Sequence, residues 1–256
     1  MIISALKKKP ECRAVLLAAM IVCGVASAQA ADDQGGIALG GTRLVFAGGK
    51  DAASMTVTNS SPADVWLMRF WVSPYGDSED KSGQGSSEQT MPFAVTPPLY
   101  RLDPQNAVQL RVNKLVENLP ADRESVYYLN NLAIPPKKGE KNYQKAVQSG
   151  LQFAVNTRIK LFYRPAAIDD PVAVKQAPEK LTVTSSGKDV VVKNPTPYFV
   201  TMTQLTLNGK PAQAPKDTMV APFGELRLAS SVPHGTFSYT TVDDRGMTTA
   251  KLNKTF

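Results

Sequence analysis

Residues that mark most enzymes and metal proteins are scarce in this sequence. Its 256 residues include two cysteines, Cys12 and Cys23, and one histidine, His234. Both cysteines fall within the first thirty residues, ahead of the folded part, so disulfides and thiolate metal sites are excluded from the rest of the chain. With a single histidine in the turn-like stretch "SVPHGT" and no Gly-x-Ser-x-Gly elbow, a Ser-His-Asp hydrolase has no footing. Histidine and cysteine metal centres fail on count. Helical periodicity is also scarce, which leaves no helix for a phosphate-binding glycine loop to precede. Carboxylate pairs such as Asp169–Asp170 and Asp243–Asp244 lie beside turn residues and read as loop solvation or turn hydrogen bonds. The inventory therefore favours binding over catalysis, with no cofactor and no metal.

Only one long apolar run exists, Ala14 to Ala28. It follows Lys7, Lys8 and Lys9 and precedes the small residues of "VASAQAADD". That is the layout of a secretory signal peptide, residues 1–30, cleaved after Ala30 or alternatively Ala28. The run is short of the ~20 residues that span a bilayer. The protein is thus expected to be exported and not membrane-embedded. The formal charge is +7. The leader accounts for +3 of it (four cations, Lys7, Lys8, Lys9 and Arg13, against Glu11), leaving +4 on the remainder. No block of like charge is dense enough for nucleic acid.

Short alternating runs bounded by Pro, Gly, Asn and Ser fill the remainder. Strands are expected at Ile37–Phe46, Ser54–Asn59, Val65–Val72, Phe93–Thr96, Val108–Lys114, Ser125–Ile134 and Leu151–Tyr163. After "YRPAAIDDP" a second set follows at Leu181–Thr184, Asp189–Lys193, Phe199–Leu207, Met219–Ala221, Glu225–Leu228, Thr236–Val242 and Thr248–Phe256. Two sets of about seven strands imply an all-β protein of two immunoglobulin-like sandwiches. The expected division is 31–164 and 165–256, with the joint near Pro165–Asp170. Two stretches, Asp77–Gln89 and the basic Pro135–Gly150, read as loops.

The run "GLQFAVNTRIKLFYRP", Gly150 to Pro165, is the most informative. Leu151, Phe153, Val155, Ile159, Leu161 and Tyr163 occupy one face of a strand, interrupted by Thr157. Gln152, Asn156, Arg158, Lys160 and Arg164 occupy the other, with Ala154 and Phe162. At ~3.3 Å per residue these 13 positions extend roughly 43 Å, against about 5–6 residues for an ordinary strand. The strand should overhang its own domain. Pattern alone leaves two accounts of Leu151, Phe153 and Val155: they cover their own sandwich, or they offer an open edge to another strand. Arg158 reads as a solvated face.

Several motifs resemble those of the periplasmic pilus-assembly chaperones of the PapD type. "LPADRESVYYLNNLAIPP" (Leu119 to Pro136) is similar to that family's signature, with Asn131 where an apolar residue is usual. "GGTRLVF", "TPPLYRLDP", "RIKLFYRP" and "NPTPYF" match in the family's order. The cysteine pair of the long-loop subclass is missing; its positions would fall near Asn130 and Arg158. The resemblance implies two immunoglobulin-like sandwiches set in an L, and a periplasmic chaperone. It implies that the chaperone lends its long strand to complete a pilus (fimbrial) subunit, and that an outer-membrane usher then receives the complex. Leu151, Phe153 and Val155 would be the lent row. Arg43 and Lys160 match the family's cleft cations and would bind the subunit's C-terminal carboxylate. Glu124, Arg164 and Asp244 match an ion-pair cluster between the domains. The resemblance leaves open a self-capping homodimer of the free chaperone. The competing account is a structural pilus subunit or adhesin. A polar mature start and a complete seventh strand in the first domain oppose it.

Overall fold

The structure, a computed structural model, describes residues 35–76, 91–135, 153–230 and 232–256. The expected leader, residues 1–30, the expected loop Asp77–Gln89, all of the expected loop Pro135–Gly150 but Pro135, and Leu151 of the lent row lie outside these residues.

The chain begins with β1 (Ile37–Leu39), β2 (Arg43–Ala47), β3 (Ala52–Asn59), β4 (Trp66–Pro74), β5 (Phe93–Thr96), β6 (Leu99–Leu102), β7 (Asn106–Lys114), β8 (Ser125–Ile134) and β9 (Val155–Arg164). One sheet has the order β1-β3-β7-β5 and the facing sheet β2-β9-β8-β4-β6. Alternate residues of both, among them Phe46, Val57, Met68, Leu110, Leu129 and Leu161, close the first core. Burial of these rows is what selects the register, since a one-residue slip would turn each row to solvent.

Ile37–Phe46 was expected as one strand and is two. The chain crosses from one sheet to the other at Gly40–Thr42, and β1 pairs with β3 whereas β2 runs parallel to β9. Gly40 makes the crossing close: its N–H donates to Thr56 O at 2.8 Å, and a Cβ there would stand 3.2 Å from that oxygen. β6 went unread, because Pro97 and Pro98 mask a four-residue edge strand. The long strand also begins later than expected. Phe153 and Ala154 are not strand, and β9 starts at Val155. Asn131, on the central strand β8, is buried with neither side-chain nitrogen nor oxygen bonded among the described residues. Such a group costs about 1–3 kcal/mol, which is the physical reason an apolar residue is usual there.

Beyond β9 a short helix α1 (Pro171–Gln176) occupies the joint. Sequence periodicity missed it because six residues show too little pattern. Its start is chemically explicit: Asp170 accepts from Val172 N–H at 2.8 Å, and Pro171 holds the first helical position. β10 (Thr182–Ser186), β11 (Asp189–Lys193), β12 (Val200–Leu207), β13 (Lys210–Pro211), β14 (Met219–Val220), β15 (Glu225–Ala229), β16 (Thr236–Thr241) and β17 (Leu252–Thr255) follow. They form a sheet β10-β11-β15 and a sheet β13-β12-β16-β17, with β14 also on β12. Val190, Met202, Leu228, Phe237 and Tyr239 form a second, separate core. The expected strand Thr248–Phe256 is shortened to β17.

Candidate functional site

β9 carries both faces of the site. Along one edge, β8 pairs with it from Val155 to Tyr163. Along the other, β2 pairs only from Lys160 to Arg164. Among the described residues, no strand lies beside Val155–Ile159 on that second edge, so its ladder groups are open there.

The apolar row changes environment at the same point. Ile159, Leu161 and Tyr163 are buried in the first core. Four and six residues before Ile159, past Thr157, Val155 is 53% exposed and Phe153 67%. The alternation continues in the sequence, but these side chains are no longer covered. Of the two accounts open in the sequence, coverage by their own sandwich is thereby excluded for Phe153 and Val155.

The opposite face of β9 carries Arg158, Lys160, Phe162 and Arg164 at strand spacing. Arg158 differs from the solvated side chain expected of it. It donates Nε–H to Asn130 Oδ1 at 3.0 Å and lies over the Tyr128 ring at 4.6 Å. Asn130 and Arg158 are direct cross-strand neighbours.

Arg43 and Lys160 are also direct neighbours, across the β2–β9 pair. In parallel strands such partners share a face, so two cations stand side by side. Arg43 donates Nη1–H to Val242 O at 3.1 Å and lies 5.4 Å from the Phe162 ring centre. Its buried Nε has no partner among the described residues. Burial pulls Arg43 below its ordinary pKa, against the opposing pull of Asp244 and Asp243. Lys160 Nζ meets Asp217 Oδ1 at 3.3 Å, Met219 Sδ at 3.5 Å and the Tyr75 ring at 5.5 Å. Burial, and then the Arg43 charge, push the Lys160 ammonium down to about 8. Asp217 is half-exposed, and water screens it too well to offset those two effects. This is an anion-seeking pair: two partly buried cations whose donors are under-used.

Four residues along from Lys160, Arg164 is saturated. Nε–H donates to Glu124 Oε1 at 2.7 Å; Nη1–H and Nη2–H donate to Asp244 Oδ2 and Oδ1 at 2.7 and 2.9 Å. Asp169 lies 3.8 Å away. Glu124 Oε2 accepts from Phe199 N–H at 2.8 Å, so both its oxygens are bonded. Burial opposes the Arg164 charge, but the bonds to Asp244 and Glu124 outweigh it and raise its pKa. Burial pushes Glu124 up, with Arg164 and the Phe199 amide pulling the other way. The short bonds on both of its oxygens identify Glu124 as ionised.

Arg43 and Arg164 both depend on one turn, Val242 to Met247. Val242 supplies the carbonyl to Arg43, and Asp244 the carboxylate to Arg164. Asp243 Oδ1 shapes the turn by accepting from Arg245 N–H (3.0 Å) and Met247 N–H (2.8 Å). Gly246 closes it at φ +82°, and a Cβ there would collide with the Thr42 side chain, next to Arg43. A cavity of about 580 Å³ is bounded by Arg43, Glu124, Phe162, Arg164, Phe199 and Val242. The Phe162 and Phe199 rings meet at 5.9 Å on its wall.

Sequence reading brought out Arg43, Lys160, Glu124, Arg164 and Asp244, and the structure joins them into two adjacent clusters. It missed Asp217, Tyr75, Met219 and Phe199. Asp217 meets Lys160 across 57 positions, and nothing in "APKDTM" signals that contact.

Two sandwiches with an open strand edge beside an anion-seeking pair define an all-β binding protein of the immunoglobulin-like class. Residues 36–169 match the family "Pili and flagellar-assembly chaperone, PapD N-terminal domain", and residues 176–252 match "Pili assembly chaperone PapD, C-terminal domain". The chain belongs to this family of pilus-assembly chaperones. It is 38% identical over 223 residues to the probable fimbrial chaperone LpfB of Escherichia coli O157:H7, covering 86% of this chain and 88% of that protein. It is 32% identical over 240 residues to the chaperone FimC of Escherichia coli K12, covering 93% and 89%. Among solved structures, the periplasmic chaperone SfaE is similar at TM-score 0.67 and 30% identity, over 86% of this chain and 99% of that one. The Salmonella enterica SafB chaperone, in complex with the SafA pilin, is similar at TM-score 0.69 and 26% identity, over 88% and 99%. These findings do not favour the structural-subunit account. Among the described residues no helix is long and apolar enough to cross a membrane.

Proposed function

We propose that this chaperone captures a pilus subunit by lending it the open edge of β9, a form of β-augmentation known as donor-strand complementation. One observation carries the reading: a single alternating row is buried at Ile159, Leu161 and Tyr163 but exposed at Val155 and Phe153, on an edge with a strand on one side only. Leu151 extends that row by its spacing. A subunit sandwich lacking one strand is the complementary surface. Burying each such side chain contributes ~1.5–3 kcal/mol, and the ladder bonds add ~0.5–1.5 kcal/mol each. Arg43 and Lys160 receive the subunit's C-terminal carboxylate, which sets the register of the added strand. Glu124, Arg164 and Asp244 hold the two sandwiches to each other.

The rest of the reading concerns the whole chain. Residues 1–30 are a signal peptide cleaved after Ala30, or after Ala28. The mature protein works in the periplasm as two domains, 31–164 and 165–256. It acts by binding and not by catalysis, and it passes the subunit to an outer-membrane usher. In the free protein the same edge is available to a second copy of the chain.

Exchanging Phe153 with Ala154 tests the lent row at constant composition. The ring moves to the other face, and subunit affinity is expected to fall about 10- to 100-fold, the equivalent of one lost apolar anchor. Phe153→Leu keeps the row apolar and is expected to bind nearly as the wild type. Melting of the free chaperone should be unchanged in both. Unfolding of the exchanged variant by itself would assign Phe153 to the chaperone's own core and overturn the lent strand.

A further inference from the structure

Lys160 has a neighbour that the capture of a subunit does not explain. Asp217 comes from the second sandwich, just ahead of β14, and its Oδ1 lies 3.3 Å from Lys160 Nζ. The same oxygen accepts from Met219 N–H at 3.1 Å, which orients the carboxylate. Among the described residues, no other carboxylate lies within ion-pair distance of Lys160.

We propose that Asp217 is an internal stand-in for the subunit's C-terminal carboxylate, held on Lys160 in the free chaperone and exchanged for that carboxylate on capture. The proposal rests on the reading of Arg43 and Lys160 as the carboxylate site. Three features support exchange over a permanent ion pair. First, the ammonium is already surrounded by Asp217 Oδ1, Met219 Sδ and the Tyr75 ring. An arriving carboxylate competes with these weak partners for the ammonium, and like charge repels Asp217 and neither of the others. Second, the Asp217 side chain is 49% exposed. A pair so open to water is weak and easily parted, in contrast to Arg164 with Glu124. Third, Asp217 serves only half of the cationic pair. Among the described residues Arg43 keeps a buried Nε without a partner, and a carboxylate that bridges both cations gains bonds Asp217 does not make. The stand-in lowers the attraction of the site for ions that reach Lys160 alone and sets a small threshold for the true partner.

The test is association of the mature chaperone with a pilus subunit that it binds, diluted from denaturant, carrying either its natural C-terminal carboxylate or a C-terminal amide. Asp217→Asn keeps the side-chain shape and the acceptor for Met219 N–H, and equal melting would verify the fold. It is expected to bind the free-carboxylate subunit about two- to fivefold more tightly than the wild type, the scale of an exposed ion pair, and to show no gain with the amidated subunit. Lys160→Ala separates the two layers of the argument. If folded Lys160→Ala loses capture while Asp217→Asn binds equally or more weakly than the wild type, the stand-in is overturned and the carboxylate site survives. A gain with the amidated subunit also overturns the stand-in. If folded Lys160→Ala captures the subunit normally, the carboxylate site itself fails, and the stand-in with it.

Discussion

Lys160 and Arg164 stand on one face of one strand, four residues apart, in opposite electrostatic conditions. Arg164 has two short carboxylate partnerships, and each of its three nitrogens donates within 2.9 Å. Among the described residues Lys160 has a single half-exposed carboxylate at 3.3 Å and a second cation, Arg43, as its cross-strand neighbour. Burial acts against charge in both places. At Arg164 the partners overcome it, and at Lys160 they do not, which is why one pKa rises and the other falls to about 8. The comparison separates a cation whose charge is met by two carboxylates within the fold from one whose single carboxylate partner among the described residues is half-exposed. A partly buried charge with donors to spare is a candidate for recognition, which is the role proposed above for Lys160.

The sharpest way to break this comparison is Arg164→Ala. It would leave Glu124, whose side chain is 2% exposed, as an uncompensated buried charge. Chemical denaturation should show a loss of about 3–5 kcal/mol. Unchanged stability would mean that the cluster is not what joins the two sandwiches.

Lys160→Ala should do the reverse. Removing a strained cation beside Arg43 is expected to leave melting equal or slightly higher, while subunit capture weakens by about 2–5 kcal/mol, since a desolvated charge pair would lose one member. Calorimetry and subunit titration on the same preparation would read both effects. A large fall in melting would place Lys160 in the structural class with Arg164.

The smallest effect is a pH dependence. Lys160 in the folded chain loses its proton at about 8 instead of the ordinary 10.5. The folded state thus binds that proton less well than the unfolded state. The Lys160 charge costs stability below pH 8, and the cost fades as pH rises from about 8 to 10.5. Subunit affinity should behave oppositely, flat below pH 8 and falling above it as the ammonium is lost. Lys160→Arg, whose guanidinium stays charged, should remove that fall. An identical profile in both proteins would assign the titration to another group.

The two faces of β9 were legible in the sequence to different depths. Its apolar row, Phe153 to Tyr163, is local information, because strand geometry puts every second residue on one side whatever surrounds it. The point where the row leaves its own core is not local. It depends on where β2 begins beside Lys160 and where the opposite sheet ends. The basic residues of the other face were equally local, but their pairing with Arg43 was legible only through the family resemblance. Arg43 and Lys160 lie more than a hundred positions apart, and composition alone does not bring them together. Single-strand reading of Ile37–Phe46 failed for a related reason: the alternation is continuous, yet the chain changes sheets at Gly40–Thr42.

The chain's own residues determined that this is an all-β protein, since period-two alternation with turn residues between the runs admits little else. They also left little room for histidine or cysteine chemistry, because those side chains are nearly absent. Tertiary structure alone decided which cation is satisfied and which is not. That outcome depends on the approach of Glu124, Asp217 and Asp244 from distant turns. Electrostatic energy varies with distance and burial, two quantities that exist only once the chain has folded.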